Sequence, residues 1–231
     1  MKIQEATNSS PILFLWIPKT AGSSIWSRIC REFSDAGEFR LDPHSYTPCQ
    51  ACTFGHVFVR DLLREGILCE QFSKSSFKFA FVRNPWDRLV SLYFHSLKLL
   101  KDGWIIEPLE LLKPSLNSFE DFLHAICRSP VQGRPLENEW TKFQAYNQID
   151  WLIDDSGKMV PDFVGRFERI DDDFRDLCES IGMPCTPLDV ENKTSRGPYE
   201  GYYNNRGIDM VSDVFSRDIK AFGYRFKNDS F

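Results

Sequence analysis

Ile12-Leu13-Phe14-Leu15-Trp16-Ile17-Pro18-Lys19-Thr20-Ala21-Gly22-Ser23-Ser24 is the stretch whose reading decides the fold. Its apolar run is too short for a helix, is apolar on both faces and ends at Pro18, which predicts a buried strand of a parallel sheet. Beyond the turn Pro18 to Gly22 a helix is predicted from Ser23 to about Phe33, because Ile25, Trp26, Ile29, Cys30 and Phe33 recur at helical spacing. A turn from strand to helix points free backbone amides outward at the positive helix end, where they can hold phosphate or sulfate. Gly22 would let the backbone come close, Lys19 adds a mobile cation, and Thr20, Ser23 and Ser24 add hydroxyl donors. The lysine precedes the glycine, so this is not the Gly-x-x-x-x-Gly-Lys-[Ser/Thr] loop of nucleoside triphosphatases. The plainer alternative is an ordinary turn carrying a surface lysine.

A second unit of the same kind starts at Phe77-Lys78-Phe79-Ala80-Phe81-Val82, a predicted strand, and runs into Arg83-Asn84-Pro85-Trp86-Asp87. Asn84 is a good N-cap, Pro85 fits the first helical position, and Asp87 falls where an acid faces free amides. Leu89, Val90, Leu92, Tyr93 and Leu97 continue the helix. Ser91 shares a helix face with the cap, and Arg83 can bring a guanidinium fork toward that face to grip a phosphate. The alternative is a capped helix whose arginine only pairs with Asp87.

Outward from these units, Ser118-Phe119-Glu120-Asp121 has the form of a capping box opening a helix to about Cys127. Glu137 to Trp151 is a helical candidate, Phe163 to Phe167 a strand, and Asp171 to Ile181 a helix stopped by Gly182 and Pro184. Gly197 to Gly201 reads as loop and Ile208 to Phe222 as a final helix. Strands alternating with helices predict an α/β fold with a mostly parallel sheet flanked by helices. The expectation is one domain over residues 1–231, with an insertion or lid around 102–135.

Composition limits what such a domain does. The chain has 231 residues, is 42% hydrophobic and contains 20 Phe, enough for a packed core. A net charge of -5 argues against a general nucleic-acid binder, whose affinity rests on an excess of Lys and Arg. An anion site must then be local. The longest apolar run falls far short of the ~20 residues that cross a bilayer, and no secretory cleavage pattern follows it. The seven cysteines, Cys30, Cys49, Cys52, Cys69, Cys127, Cys178 and Cys185, are odd in number and scattered. Reduced thiols of a cytoplasmic protein are expected from them, and a chain opening on Met1 shortly before its first strand agrees.

Taken together, Ile17 to Ser24 and Phe81 to Tyr93 resemble the two nucleotide-binding segments of sulfotransferases that use 3′-phosphoadenosine 5′-phosphosulfate (PAPS), particularly the carbohydrate branch. The resemblance implies a P-loop-like core in which Pro18, Lys19, Thr20, Ala21, Gly22, Ser23 and Ser24 hold the 5′-phosphosulfate. Arg83 and Ser91, eight positions on, match the family's 3′-phosphate pair. Asn192-Lys193-Thr194-Ser195-Arg196, with Tyr199, Tyr202 and Tyr203 after it, resembles the loop closing over the cofactor, with Lys193, Ser195 and Arg196 as further contacts. The stretch from Asp102 to Asp155 matches nothing in particular. His56, in Phe54-Gly55-His56-Val57-Phe58, matches the family's Gly-His segment, where the histidine is the expected base.

The implied activity is in-line transfer of a sulfuryl group from PAPS to an acceptor hydroxyl, a sugar by preference. It involves no metal, leaves 3′-phosphoadenosine 5′-phosphate (PAP) as product, and gives Lys19 and His56 the catalytic roles. Nucleic-acid and membrane partners are not expected. Two other classes remain open from sequence: a P-loop-like phosphotransferase, and a protein that binds PAPS or PAP without turnover. A zinc site from His44, Cys49, Cys52 and His56 is a rival use of the same histidine, although its ligands are crowded into one short stretch.

Overall fold

The computed structural model describes residues 10–39, 43–45, 47, 49–68, 70–104, 112–128, 146–189 and 196–227. These group into two compact units, the first built from residues up to 17, 21–81 and 151–191, the second from 18–20, 82–150 and 192 onward.

The first unit carries a five-stranded sheet in the order β2-β3-β1-β4-β5. The strands are β1 (Ile12–Phe14), β2 (Gly37–Glu38), β3 (Ala51–Thr53), β4 (Phe77–Val82) and β5 (Phe163–Arg166). The β2–β3, β3–β1 and β1–β4 pairings are parallel, with Leu13 opposite Cys52 on one side and Lys78 on the other. Central β1 is buried on both faces, which is why its sequence is apolar without alternation. Ile12, Phe14, Phe79 and Phe81 meet Ile25, Trp26 and Ile29 of α1 (Gly22–Glu32) and Phe174, Leu177 and Cys178 of a later helix in one core. Regular strand geometry ends at Phe14, and the Leu15 amide continues the pairing to the Phe79 carbonyl at 2.8 Å. Two short helices, α2 (Val59–Arg64) and α3 (Glu70–Ser75), and the strands β2 and β3 had no counterpart in the sequence reading. Each is too short to show a period.

The second unit is helical: α4 (Pro85–Lys101), α5 (Phe119–Arg128), then, after α6 (Ile170–Ile181) of the first unit, α7 (Asn205–Val214) and α8 (Ser216–Phe222). Tyr93, Phe119, Phe122, Tyr202 and Tyr203 fill it with edge-on and tilted aromatic contacts. Ser118 and Asp121 cap α5 reciprocally, Ser118 Oγ accepting from the Asp121 amide at 3.1 Å and donating to its carboxylate at 2.8 Å. In α6 the stop at Gly182 is a left-handed residue (φ 68°).

Three sequence expectations change. The final helix predicted over Ile208 to Phe222 is two helices that break at fully buried Phe215, the first starting earlier under the Asn204 cap. Gly197 to Gly201 is not all loop, since Tyr199–Tyr202 forms a 3-10 turn. Of the helix expected from Glu137 to Trp151, only the end is described, and Gln148–Trp151 is there a 3-10 turn. Residues 105–111 and 129–135 of the expected lid lie outside the described residues, as do Cys69, Lys193 and Ser195. The six described cysteines are free thiols.

Candidate functional site

The turn that leads into α1 is strained at two residues that are not glycine. Lys19 and Ala21 both have φ 67°, a left-handed conformation costing a non-glycine residue about 1–3 kcal/mol. The sequence reading gave the special role to Gly22. That glycine is already helical, and its reason is steric: an added Cβ would lie 1.8 Å from Nε1 of Trp16. Thr20 and Ser24 are buried and Ser23 half-buried. Alternating left-handed residues at a helix start turn successive amides to one side, the geometry of an anion nest.

Trp16 also organises the other half of the first unit's site. β3 ends at Thr53, whose Oγ1 donates to the Phe14 carbonyl at 2.9 Å and accepts from the Gly55 amide at 3.1 Å. Gly55 then turns with φ 62° and brings His56 edge-on to the Trp16 ring, 5.5 Å between centroids. The His56 Nδ1 lies 2.9 Å from the Trp16 carbonyl oxygen. A carbonyl only accepts, so Nδ1 carries the proton in the neutral ring and the lone pair is on Nε2. That is the tautomer a general base needs.

In the second unit, the cationic groups gather around the start of α4. Asn84 caps it as predicted, accepting from the Trp86 amide at 3.1 Å, with Pro85 in the first turn. The pairing of Arg83 with Asp87 is present, at 2.7 Å. Asp87 was expected to face the free amides, but its two oxygens are taken by guanidiniums, Arg83 on one and Arg196 on the other. Two arginines held by one carboxylate leave a net positive pair with fixed geometry. Arg83 Nη1 also donates to the Lys19 carbonyl at 3.1 Å, so the first turn and the second motif meet. Asp87, Ser91 and His95 recur every four residues as one stripe along the α4 face, and Arg83, ahead of the Asn84 cap, pairs with the Asp87 end of it.

Lys19 completes this cluster. Burial, then the charges of Arg83 and Lys98, push its ammonium down to about 8. Burial together with Lys19 and Lys98 pushes the His95 imidazole down to about 4, so that ring is neutral near pH 7. A group of cations that lower one another's pKa is short of negative charge, and a multiply charged anion would relieve it.

Of the residues singled out from sequence, the structure brings Lys19, Arg83 and Arg196 into one hydrogen-bonded and charged cluster, with Ser91 on the helix stripe of Asp87. Pro18 and Thr20 belong to the same unit, while Ala21, Gly22, Ser23, Ser24 and His56 belong to the first. Sequence reasoning missed the organising roles of Trp16 and Asp87. Asp87 had a signal in its spacing of four from Arg83; Trp16 had none, because its role depends on where its ring turns over Gly22 and on the distant Gly55-His56 turn. Among the described residues no group of three or more His, Cys, Asp and Glu is placed to hold a metal. His44 lies instead 3.8 Å from Glu65. No described helix is long and apolar enough to cross a membrane.

A family model described as the sulfotransferase family matches residues 6–225. No curated protein matches in sequence. Among solved structures, the chain is similar to mouse sulfotransferase SULT7A1 complexed with PAP, with 12% identity and a TM-score of 0.54, covering 92% of this chain and 84% of that one. A sulfotransferase from Alicyclobacillus acidocaldarius aligns at 12% identity and a TM-score of 0.45, over 92% of this chain and 98% of the other. At such identity the mouse enzyme speaks for the fold.

Proposed function

The chain belongs to the sulfotransferase family, and from that premise we propose that it transfers a sulfuryl group from PAPS to a hydroxyl of a carbohydrate. The observation that carries the assignment of the donor site is the Arg83 guanidinium, which touches the Lys19 carbonyl while sharing Asp87 with Arg196. Two sequence segments far apart in the chain are thereby joined where a doubly phosphorylated nucleotide needs them both.

In this reading Arg83, Arg196 and the Ser91 hydroxyl take the 3′-phosphate, with Lys193 and Ser195 further along the same loop. The amides and hydroxyls from Pro18 to Ser24 take the 5′-phosphosulfate. The acceptor oxygen attacks sulfur in line, the bond from sulfur to the 5′-phosphate oxygen breaks, and PAP leaves. Nε2 of His56 accepts the hydroxyl proton, and the Lys19 ammonium neutralises the charge growing on the leaving phosphate. Nothing in these steps calls on a metal. The likeness to a mouse enzyme complexed with PAP supports the choice of nucleotide, and the carbohydrate acceptor rests on the resemblance of the two motifs.

Calorimetry with PAP and AMP tests the donor site. PAP should bind far more tightly, and Arg83→Ala should cost PAP about 1.5–3 kcal/mol, the scale of a lost charge-assisted contact, and cost AMP less. Equal affinity for the two nucleotides would remove the reading. Labelled PAPS with a panel of sugar, phenol and protein acceptors, followed by mass spectrometry, then identifies the acceptor and separates turnover from binding alone.

A further inference from the structure

Gln148 lies in the stretch that resembles nothing in particular, and it is fully buried. Its side chain pairs with a backbone as a neighbouring strand would. Oε1 accepts from the Arg83 amide at 2.9 Å, and Nε2 donates to the Arg83 carbonyl at 2.8 Å. The same Nε2 lies 3.1 Å from a carboxylate oxygen of Asp218, in the first turn of α8. The other Asp218 oxygen accepts from the Ile149 amide at 3.0 Å, and the Asp218 amide donates to Asn147 Oδ1 at 3.1 Å. The backbone around Arg83 is therefore fixed by the Gln148 carboxamide, itself held by a carboxylate that no solvent reaches.

Asp218 has a second dependant. Arg88, one turn into α4 and 3% exposed, donates from Nε to the Pro18 carbonyl at 3.1 Å. Burial pulls its guanidinium down to about 10, and the Asp218 charge works against that pull. Arg83 and Arg88 thus hold two consecutive carbonyls, those of Lys19 and Pro18, at 3.1 Å each. Lys19, whose carbonyl Arg83 holds, is one of the two left-handed residues of this turn. A buried charge with one partner removed is costly, so nature has reason to use such groups where position matters more than stability.

On the donor-site reading above, we infer that Gln148 and Arg88 are positioning residues, joined by Asp218, which set the spacing between the Arg83 anchor and the Pro18-Lys19 turn. They touch no substrate. Their work is to keep two anion-holding segments at one separation, so that both ends of a rigid nucleotide are met at once. PAP, which spans both, depends on that spacing; AMP, which lacks the 3′-phosphate, depends on it less.

The test uses the full chain with Gln148→Met, which keeps length but loses every hydrogen bond. Gln148→Glu keeps the acceptor for the Arg83 amide and loses the donors, and Arg88→Lys keeps the charge. Melting temperature, affinity for PAP and AMP, and the KM and kcat for PAPS are measured on each. Positioning predicts that the preference for PAP over AMP falls roughly tenfold to a hundredfold, the scale of a displaced binding group. The KM for PAPS should rise with it, AMP affinity changing less than PAP affinity. Melting temperatures that drop while the PAP-to-AMP ratio and the KM hold would show plain structural support and overturn the inference. If Gln148→Met does not fold, the Glu and Lys variants decide by the same ratio. A parent protein with no preference for PAP would instead defeat the donor-site reading, and the inference with it.

Discussion

Burial and the positive charges of Arg83 and Lys98 leave the Lys19 ammonium at about 8, well below an ordinary lysine. At pH 7 it is still charged, and it loses that charge as pH rises through about 8. Only the charged form attracts phosphate, so PAP affinity should fall above about pH 8 in a titration by calorimetry. The neighbours do not mimic this: His95 is already neutral over that range, at about 4, and arginine stays charged. Lys19→Met should bind more weakly at pH 7 and lose the alkaline fall; a variant that keeps it would place the titrating group elsewhere. His56 has a different task. His56→Ala should retain PAP affinity while transfer drops roughly 10²–10⁴-fold, the usual worth of a positioned base. Full transfer in that variant would exclude it as the base. Both residues were legible in the sequence as chemical types. The depressed lysine and the fixed tautomer were not, because each depends on groups distant in the chain.

α1 and α4 each begin where a strand ends, and their starts were legible for unequal reasons. Asn84, Pro85 and the apolar period after them are local signals, and the structure uses them as read. At α1 the local signal pointed to the right turn, and the structure adds a steric reason for its glycine. Gly22 is required by the Trp16 indole lying over the first helical turn, and the same tryptophan holds His56 through its carbonyl. Gly22→Ala should therefore do two things. Forcing a methyl into that contact should destabilise the protein by about 1–3 kcal/mol, measured by denaturant unfolding. It should also cut transfer by more than the loss of folded protein explains, since Trp16 must move. A variant with parental stability and rate would show that the ring yields freely. The break between α7 and α8 illustrates the opposite limit. Apolar residues keep their helical spacing through Phe215, so the pattern alone has no reason to stop there. Phe215 is fully buried, and its backbone (φ -103°, ψ 24°) leaves the helical conformation there.

Across the whole molecule, a ligand that binds only the folded state raises its stability by mass action, about 2.7 kcal/mol at a hundred times its Kd. PAP should accordingly raise the melting temperature in a concentration-dependent way, and AMP at the same concentration should do so far less. Equal shifts would mean that the 3′-phosphate is not recognised. The α/β class, the parallel sheet around Ile12 to Phe14 and the strand-to-helix turns that open α1 and α4 were legible in the chain alone. Those rest on continuous apolar runs, caps and glycines acting within about a dozen residues. Only the tertiary structure decided that Asp87 holds two arginines, that Trp16 dictates Gly22, and that Gln148, held by Asp218, braces Arg83. Each of these joins residues from separate elements, and a side chain's partner across such a distance is chosen by packing and by the need to satisfy buried charge, neither of which leaves a period or a local motif in the chain.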